Sequence, residues 1–157
     1  MRGVVQRVSE ASVTVDGAVV GTIGAGLLVL VAAEKGDTET DLQKFADRIV
    51  NLRIFSDAEG KMNLDLASAT SDSATPNLLL VSNFTVAGDT SKSRRPSFTS
   101  AMGFEEGKAM FDQLVAACAD RGARTQTGVF GAHMDVALVN DGPVTLVIQV
   151  GPSNVSN

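Results

Sequence analysis

The chain has 157 residues, 44% hydrophobic and 20% charged, a balance that suits one folded domain with a sizeable core and excludes a disordered chain. Its formal net charge of −5 argues against a protein that coats nucleic acid through broad phosphate neutralisation, while leaving room for a local basic patch. One cysteine cannot form an internal disulfide, and Met1-Arg2 leads into an alternating pattern rather than a cleavable apolar segment, so a cytoplasmic location is expected.

Val4 to Val8 and Ser12 to Val15 read as strands, and Asp16-Gly17 is a two-residue hairpin signal into a third, Ala18 to Ile23. The apolar run Gly26 to Ala33 is far short of the roughly 20 residues that span a bilayer and reads as a buried strand. No membrane association is expected. Asp37 or Thr38 should cap a helix whose apolar face carries Leu42, Phe45, Ala46 and Ile49. Leu52 to Phe55 and Lys61 to Leu64 flank a turn, Ser56 to Gly60, and Ala67 to Pro76 should be an exposed loop. Leu78 to Val81 is a strand that ends in Ser82-Asn83-Phe84-Thr85-Val86. A second helix should run from about Phe104 to Arg121, with Phe104, Phe111, Leu114, Val115 and Cys118 at helical spacing and Gly122 as its stop. Cys118 is then a small core residue. Met134 to Val139 and Val144 to Val150 close the chain as two strands, before a tail at residues 151–157.

Strands arrive in hairpins and helices separately, which predicts an α+β class: a single compact domain, residues 1–150, with largely antiparallel or mixed sheets and two main helices. No Rossmann fingerprint or phosphate-binding loop is present, since the glycines of Gly21 to Gly26 are not followed by a helix.

The usual catalytic equipment is missing. Serine, cysteine and zinc hydrolases draw on histidine as base or ligand, and this chain has only His133, read as a surface or satisfied residue. No carboxylate pair stands out by spacing, and no metal or other cofactor is expected. Ser91 to Phe98 is the one dense basic cluster, either a solvated loop or a phosphate contact through Lys92, Arg94 and Arg95. Between the last two strands, Asn140-Asp141-Gly142-Pro143-Val144-Thr145 places a proline, which cannot donate to a ladder, where a strand begins. An enzyme built on these residues would have to rely on backbone groups or on its substrate.

Ser82 to Val86 after an apolar strand, paired with Asn140 to Thr145, resembles the two signature motifs of D-aminoacyl-tRNA deacylases. Met1 to Val8, Arg53 to Phe55, Gly60 to Asn63, Arg95 to Phe98 and Gly128 to Ala132 extend the resemblance over nearly the whole chain. It implies a homodimer that hydrolyses the ester joining a D-amino acid to the 3′ end of tRNA, with active sites at the subunit interface. It also implies a cis Gly142-Pro143 bond whose two carbonyls, reaching in from the other subunit, hold the substrate's α-ammonium. An L side chain would then point into backbone while a D side chain or a hydrogen is admitted, so glycine is incompletely spared. Ser82, Asn83, Phe84 and Thr85 would line the pocket, with N–H groups near Phe84 and Thr85 facing the developing oxyanion. Thr85 has no base near it in sequence, so the resemblance favours assistance from the 2′-hydroxyl of the terminal adenosine. Phe130 either packs near the terminal adenine or serves as a core ring, and Lys92, Arg94 and Arg95 are the candidates for tRNA phosphates. The chain departs from the family pattern at Asn83, where glutamine is usual, and at Val86, where leucine is usual. Two further readings remain open: a proofreader of achiral or L-misacylated tRNA, and a non-enzymatic nucleic-acid-binding dimer.

Overall fold

The computed structural model describes residues 1–69 and 77–151. Its organising element is β1 (Arg2–Val15), one 14-residue strand where two short ones were expected. The polar stretch at Ser9 and Glu10 does not interrupt it, because the last strand pairs along its whole length, Arg2 opposite Gln149 through Thr14 opposite Asp135, with shifts of register on either side of Val8. The other edge is shared: β3 (Gly26–Ala32) pairs with the first half of β1 and β2 (Ala18–Ile23) with the second. Asp16 and Gly17, with φ of 50° and 80°, make the tight turn that Asp-Gly foretells.

Beyond β3 lie β6 (Leu78–Ser82) and β7 (Thr125–Thr127), both parallel to their neighbours, so the six-stranded sheet is mixed. A separate two-stranded hairpin joins β4 (Phe55–Ser56) and β5 (Met62–Leu64). The main sheet curls until β2 touches β7. A Cβ on Gly21 would lie 2.5 Å from the Thr127 carbonyl oxygen, so a side chain there would prop the sheet open. Gly26 is tighter still, at 2.0 Å from the Asn77 carbonyl oxygen. The enclosed face buries Val8, Val13, Ile23, Leu28, Leu79 and Val81.

The outer face carries the larger core, built on Phe45, Ile49, Leu114 and Cys118 from α1 (Glu39–Val50) and α3 (Phe104–Asp120). Thr38 caps α1 in a reciprocal box with Asp41, and Gly122, at φ +88°, follows the end of α3. Phe104 departs from its expected place in the core and is 61% exposed. As the first helical residue it points back past the end of the packed face. The short helix α2 (Leu66–Ala69) takes the start of the stretch from Ala67 to Pro76 for which the sequence predicts a loop; residues 70–76 and the tail beyond Gly151 lie outside the described residues.

The last expectation to change concerns Gly142-Pro143. Rather than a turn between two strands, it sits inside one 15-residue strand, β8 (Asp135–Gln149). The ladder with β1 steps from Thr145 opposite Gln6 to Asn140 opposite Val8, so residues 141–144 bulge out against Arg7 alone. The Gly142-Pro143 peptide bond is cis and Gly142 has φ +124°. A bulge, unlike a ladder position, tolerates the missing N–H of proline.

Candidate active site

At the end of β6 the chain leaves the sheet through Asn83, whose N–H still donates to the Val31 carbonyl at 2.8 Å. Asn83 then caps a 3₁₀ turn, Phe84–Ala87: its side-chain oxygen accepts the Thr85 N–H at 3.2 Å and the Thr85 hydroxyl at 2.5 Å. This local satisfaction is why Ser82 to Val86 ends in a turn instead of extending the strand. Phe84, the first residue of the turn, is exposed and stands edge-on to Phe98, ring centroids 5.2 Å apart. Its N–H has no acceptor one turn earlier, whereas the Thr85 N–H is already engaged by Asn83. Of the two amides expected near an oxyanion, only the one at Phe84 is free of that bond.

A cleft of about 590 Å³ opens beside this turn. Ser82, Asn83 and Phe84 form one wall, Phe130 to Met134 another, and the start of α3 a third. The floor comes from β3 and its extension, where Met102 N–H donates to the Ala33 carbonyl at 2.9 Å. The lining is apolar, and His133 is its one titratable side chain among the described residues. His133 is thus exposed at the cleft, a placement that its neighbours Gly131 and Ala132, already singled out in sequence, could have signalled. Phe104, Met102 and Gly107 also line the cleft without having been singled out as site residues.

Four expected site residues therefore meet at one cleft: Ser82, Asn83, Phe84 and Phe130. Thr85 lies behind them, its hydroxyl turned to Asn83. Gly142 and Pro143 do not line the cleft of their own chain. They stand instead on the bulge of β8, where Arg7 Nε lies 2.9 Å from Asp141 Oδ2 and an Arg7 Nη donates to the Ile54 carbonyl. Lys92, Arg94 and Arg95 are exposed on the segment after the 3₁₀ turn. That segment is pinned at its base by paired backbone bonds between Asp89 and Ser97 and by Asp89 Oδ1 accepting the Ser91 N–H at 2.8 Å. The Ser91 hydrogen bonds hold the Asp89 carboxyl below the usual carboxylate range. Among the described residues no three His, Cys, Asp or Glu side chains gather as a metal site would require, and no helix is long and apolar enough to cross a membrane.

Comparison with known proteins gives this geometry a context. A family model described as D-Tyr-tRNA(Tyr) deacylase matches residues 4–149. The D-aminoacyl-tRNA deacylase of Ralstonia nicotianae is 48% identical over 155 residues, 99% of this chain and 93% of that protein. That of Desulfitobacterium hafniense is 53% identical over 149 residues, 95% of this chain and 97% of that protein. Among solved structures, the c-Myc DNA Unwinding Element Binding Protein aligns with a TM-score of 0.84 at 34% identity, covering 98% of this chain and all of that one, 100%. A probable eukaryotic D-amino acid tRNA deacylase shares the fold at a TM-score of 0.75 and 18% identity, covering 94% of this chain and 97% of that one. The α+β fold is thus that of a hydrolase acting on an acyl ester of tRNA. The chain belongs to the D-aminoacyl-tRNA deacylase family, and its reaction is hydrolysis of D-aminoacyl-tRNA to the free D-amino acid and tRNA.

Proposed function

We propose that the cleft takes the 3′-terminal aminoacyl-adenosine, with Ser82, Asn83 and Phe84 at the reacting ester, Thr85 behind them and Phe130 beside the adenine. One observation carries this reading: among the described residues the cleft supplies shape and a Phe84 amide outside the Asn83 cap, while its walls hold no carboxylate and the Thr85 hydroxyl is bonded to Asn83. The Thr85 hydroxyl donates to an amide oxygen, which cannot take its proton. The Phe84 N–H stabilises the developing oxyanion, and the 2′-hydroxyl of the terminal adenosine positions or activates the attacking water. Lys92, Arg94 and Arg95 contact tRNA phosphates, and the protein works in the cytoplasm.

The active unit is a homodimer. β8 is paired by β1 on one edge, and among the described strands none pairs its other edge, which leaves a 15-residue strand exposing Val139, Leu146 and Val147. Long open edges of this kind invite a second chain. A partner docked there brings its Gly142 and Pro143 to the cleft, where their carbonyls hold the α-ammonium and exclude an L side chain by contact. Chirality is then read by backbone and many D side chains are admitted.

The test uses two substrate pairs. D- and L-aminoacyl-tRNA distinguish chiral exclusion, with hydrolysis of the D form alone expected; equal rates on both would sink the exclusion argument. A D-aminoacyl-tRNA ending in 2′-deoxyadenosine, esterified at its 3′-hydroxyl, should be hydrolysed at least about 10²-fold more slowly, the lower end of general acid–base contributions. An undiminished rate would put the catalytic group on the protein.

A further inference from the structure

Three phenylalanines form a ladder from core to solvent along one wall of the cleft. Phe111 is buried in the core; Phe130, half-buried, has its ring centroid 5.9 Å from it. Phe104 stands 5.3 Å beyond Phe130, at 75° to it, with 61% of its surface exposed. The outer ring is nevertheless held in place. A Cβ on Gly131 would come within 2.6 Å of Phe104 Cε2, so the ring lies against the bare backbone of Gly131, which at φ +78° is itself a glycine position. Phe104 thus gains little from burial, yet its inner edge is fixed by Phe130 and Gly131.

We propose that Phe104 is a stacking platform for the cytidine immediately 5′ of the terminal adenosine of tRNA. This rests on the assignment of the cleft to that adenosine, with Phe130 beside its base. The next nucleotide outward then leaves the cleft over the next ring of the ladder. Single-stranded 3′ ends are bound in this way, by unstacked bases laid on aromatic faces, and the interaction needs no charged partner. The wall around Phe104 has that character: Met102, Gly103, Gly107 and Phe130 surround it along the cleft. The ring is fixed before substrate arrives, so little ordering cost offsets the stacking gain.

The test compares 3′-D-aminoacyl-adenosine with the 3′-D-aminoacyl ester of the dinucleotide cytidylyl-adenosine. For the unmodified protein, the added cytidine should raise kcat/KM about 5- to 160-fold, the range of one base–aromatic stack. Phe104→Ala and Phe104→Leu should bring that ratio close to unity, and Phe104→Trp should preserve it. Circular dichroism and thermal melting of each variant verify folding. A ratio already near unity in the unmodified protein, or one that survives Phe104→Ala, would overturn the proposal. So would a Phe104→Ala protein that shifts from dimer to monomer on size exclusion, which would assign the ring to a contact between copies. Phe130→Leu separates this from the reading beneath it: rates on both esters should fall, and if neither does, the cleft does not hold the adenosine.

Discussion

Arg7 Nε lies 2.9 Å from Asp141 Oδ2, joining the middle of β1 to the bulge of β8 that carries Gly142 and Pro143. Arg7 is 10% exposed at its side chain and Asp141 56%, so the two partners are unequal. The guanidinium also donates to the Ile54 carbonyl, which ties the bulge to the entry of the β4–β5 hairpin. Asp141→Asn removes a half-exposed charge and should cost no more than about 1 kcal/mol. Arg7→Met strips a buried carbonyl of its donor as well, and should cost about 1–3 kcal/mol. Urea denaturation of the two variants gives the comparison; equal losses would mean that the Ile54 bond contributes little.

Gly142 is held where a side chain has no room. Its φ of +124° lies in a region that L side chains rarely adopt, and a Cβ would meet Val144 Cγ2 at 2.9 Å and an Arg7 nitrogen at 3.0 Å. Gly142→Ala should therefore destabilise by about 1–3 kcal/mol, the usual cost of forced backbone strain. Because Arg7 must yield to the new methyl, the bulge shifts with it, and hydrolysis of D-aminoacyl-tRNA should fall further than the melting temperature alone explains. Full activity in Gly142→Ala would separate the bulge from substrate recognition.

Helix α1 gives a prediction for acid. Thr38 and Asp41 exchange hydrogen bonds in the capping box, and those bonds hold the Asp41 carboxyl below its ordinary value. A depressed folded pKa means that the stabilisation is present above the unfolded value and is lost as pH falls through the folded one. Thr38→Ala should cost about 0.5–2 kcal/mol at neutral pH. The gap between variant and parent should narrow as the solution is taken below about pH 4, where the carboxylate protonates first in the unfolded chain and then, at lower pH, in the folded one. Urea midpoints at pH 7 and pH 3 provide the check.

Much of this was legible in the chain itself, and the failures have physical causes. The Asp16-Gly17 hairpin, the capped face of α1 and the stop at Gly122 are local features, decided by φ and side-chain periodicity. The joining of Val4 to Val8 with Ser12 to Val15 was not local, because the ladder that bridges Glu10 comes from Val139, far along the chain. The same ladder turned an expected hairpin at Gly142-Pro143 into a bulge. For the site, the Ser82 to Thr85 stretch and Phe130 were readable as motifs, and Ser82, Asn83, Phe84 and Phe130 converge on one cleft. His133, read as a surface or satisfied residue, is indeed exposed, and Phe104 leaves the core it was expected to join; that both line the cleft was not legible, because a lone histidine and a helix-start phenylalanine carry no pattern until the cleft forms.

Cys118 offers a test of the core that is independent of catalysis. The thiol is buried on the inner face of α3, and burial pushes its pKa up to about 12, with Arg121 pulling weakly the other way. The reactive thiolate is therefore scarce at neutral pH, and access is blocked. Iodoacetamide at pH 8 should leave the folded protein unmodified for as long as it stays folded, and should alkylate Cys118 promptly in 6 M guanidinium chloride. Mass spectrometry reads the result. Rapid alkylation of the native protein would show that α3 opens readily.

The division of catalytic work between protein and substrate can be read from two side chains. Thr85 donates its hydroxyl to Asn83 Oδ1, and in the proposed mechanism it serves the cap rather than acting as a nucleophile. Thr85→Ala should keep kcat within about tenfold, because removing a true general base or nucleophile costs about 10²–10⁴. His133 is the stricter case, since it is the one titratable side chain lining the cleft among the described residues. If the 2′-hydroxyl assists the water, His133→Gln should also keep kcat within about tenfold, even if KM changes. Single-turnover hydrolysis of D-aminoacyl-tRNA isolates the chemical step from binding. A loss of about 10³-fold in His133→Gln, with Thr85→Ala intact, would make the imidazole the base and return catalysis to the protein.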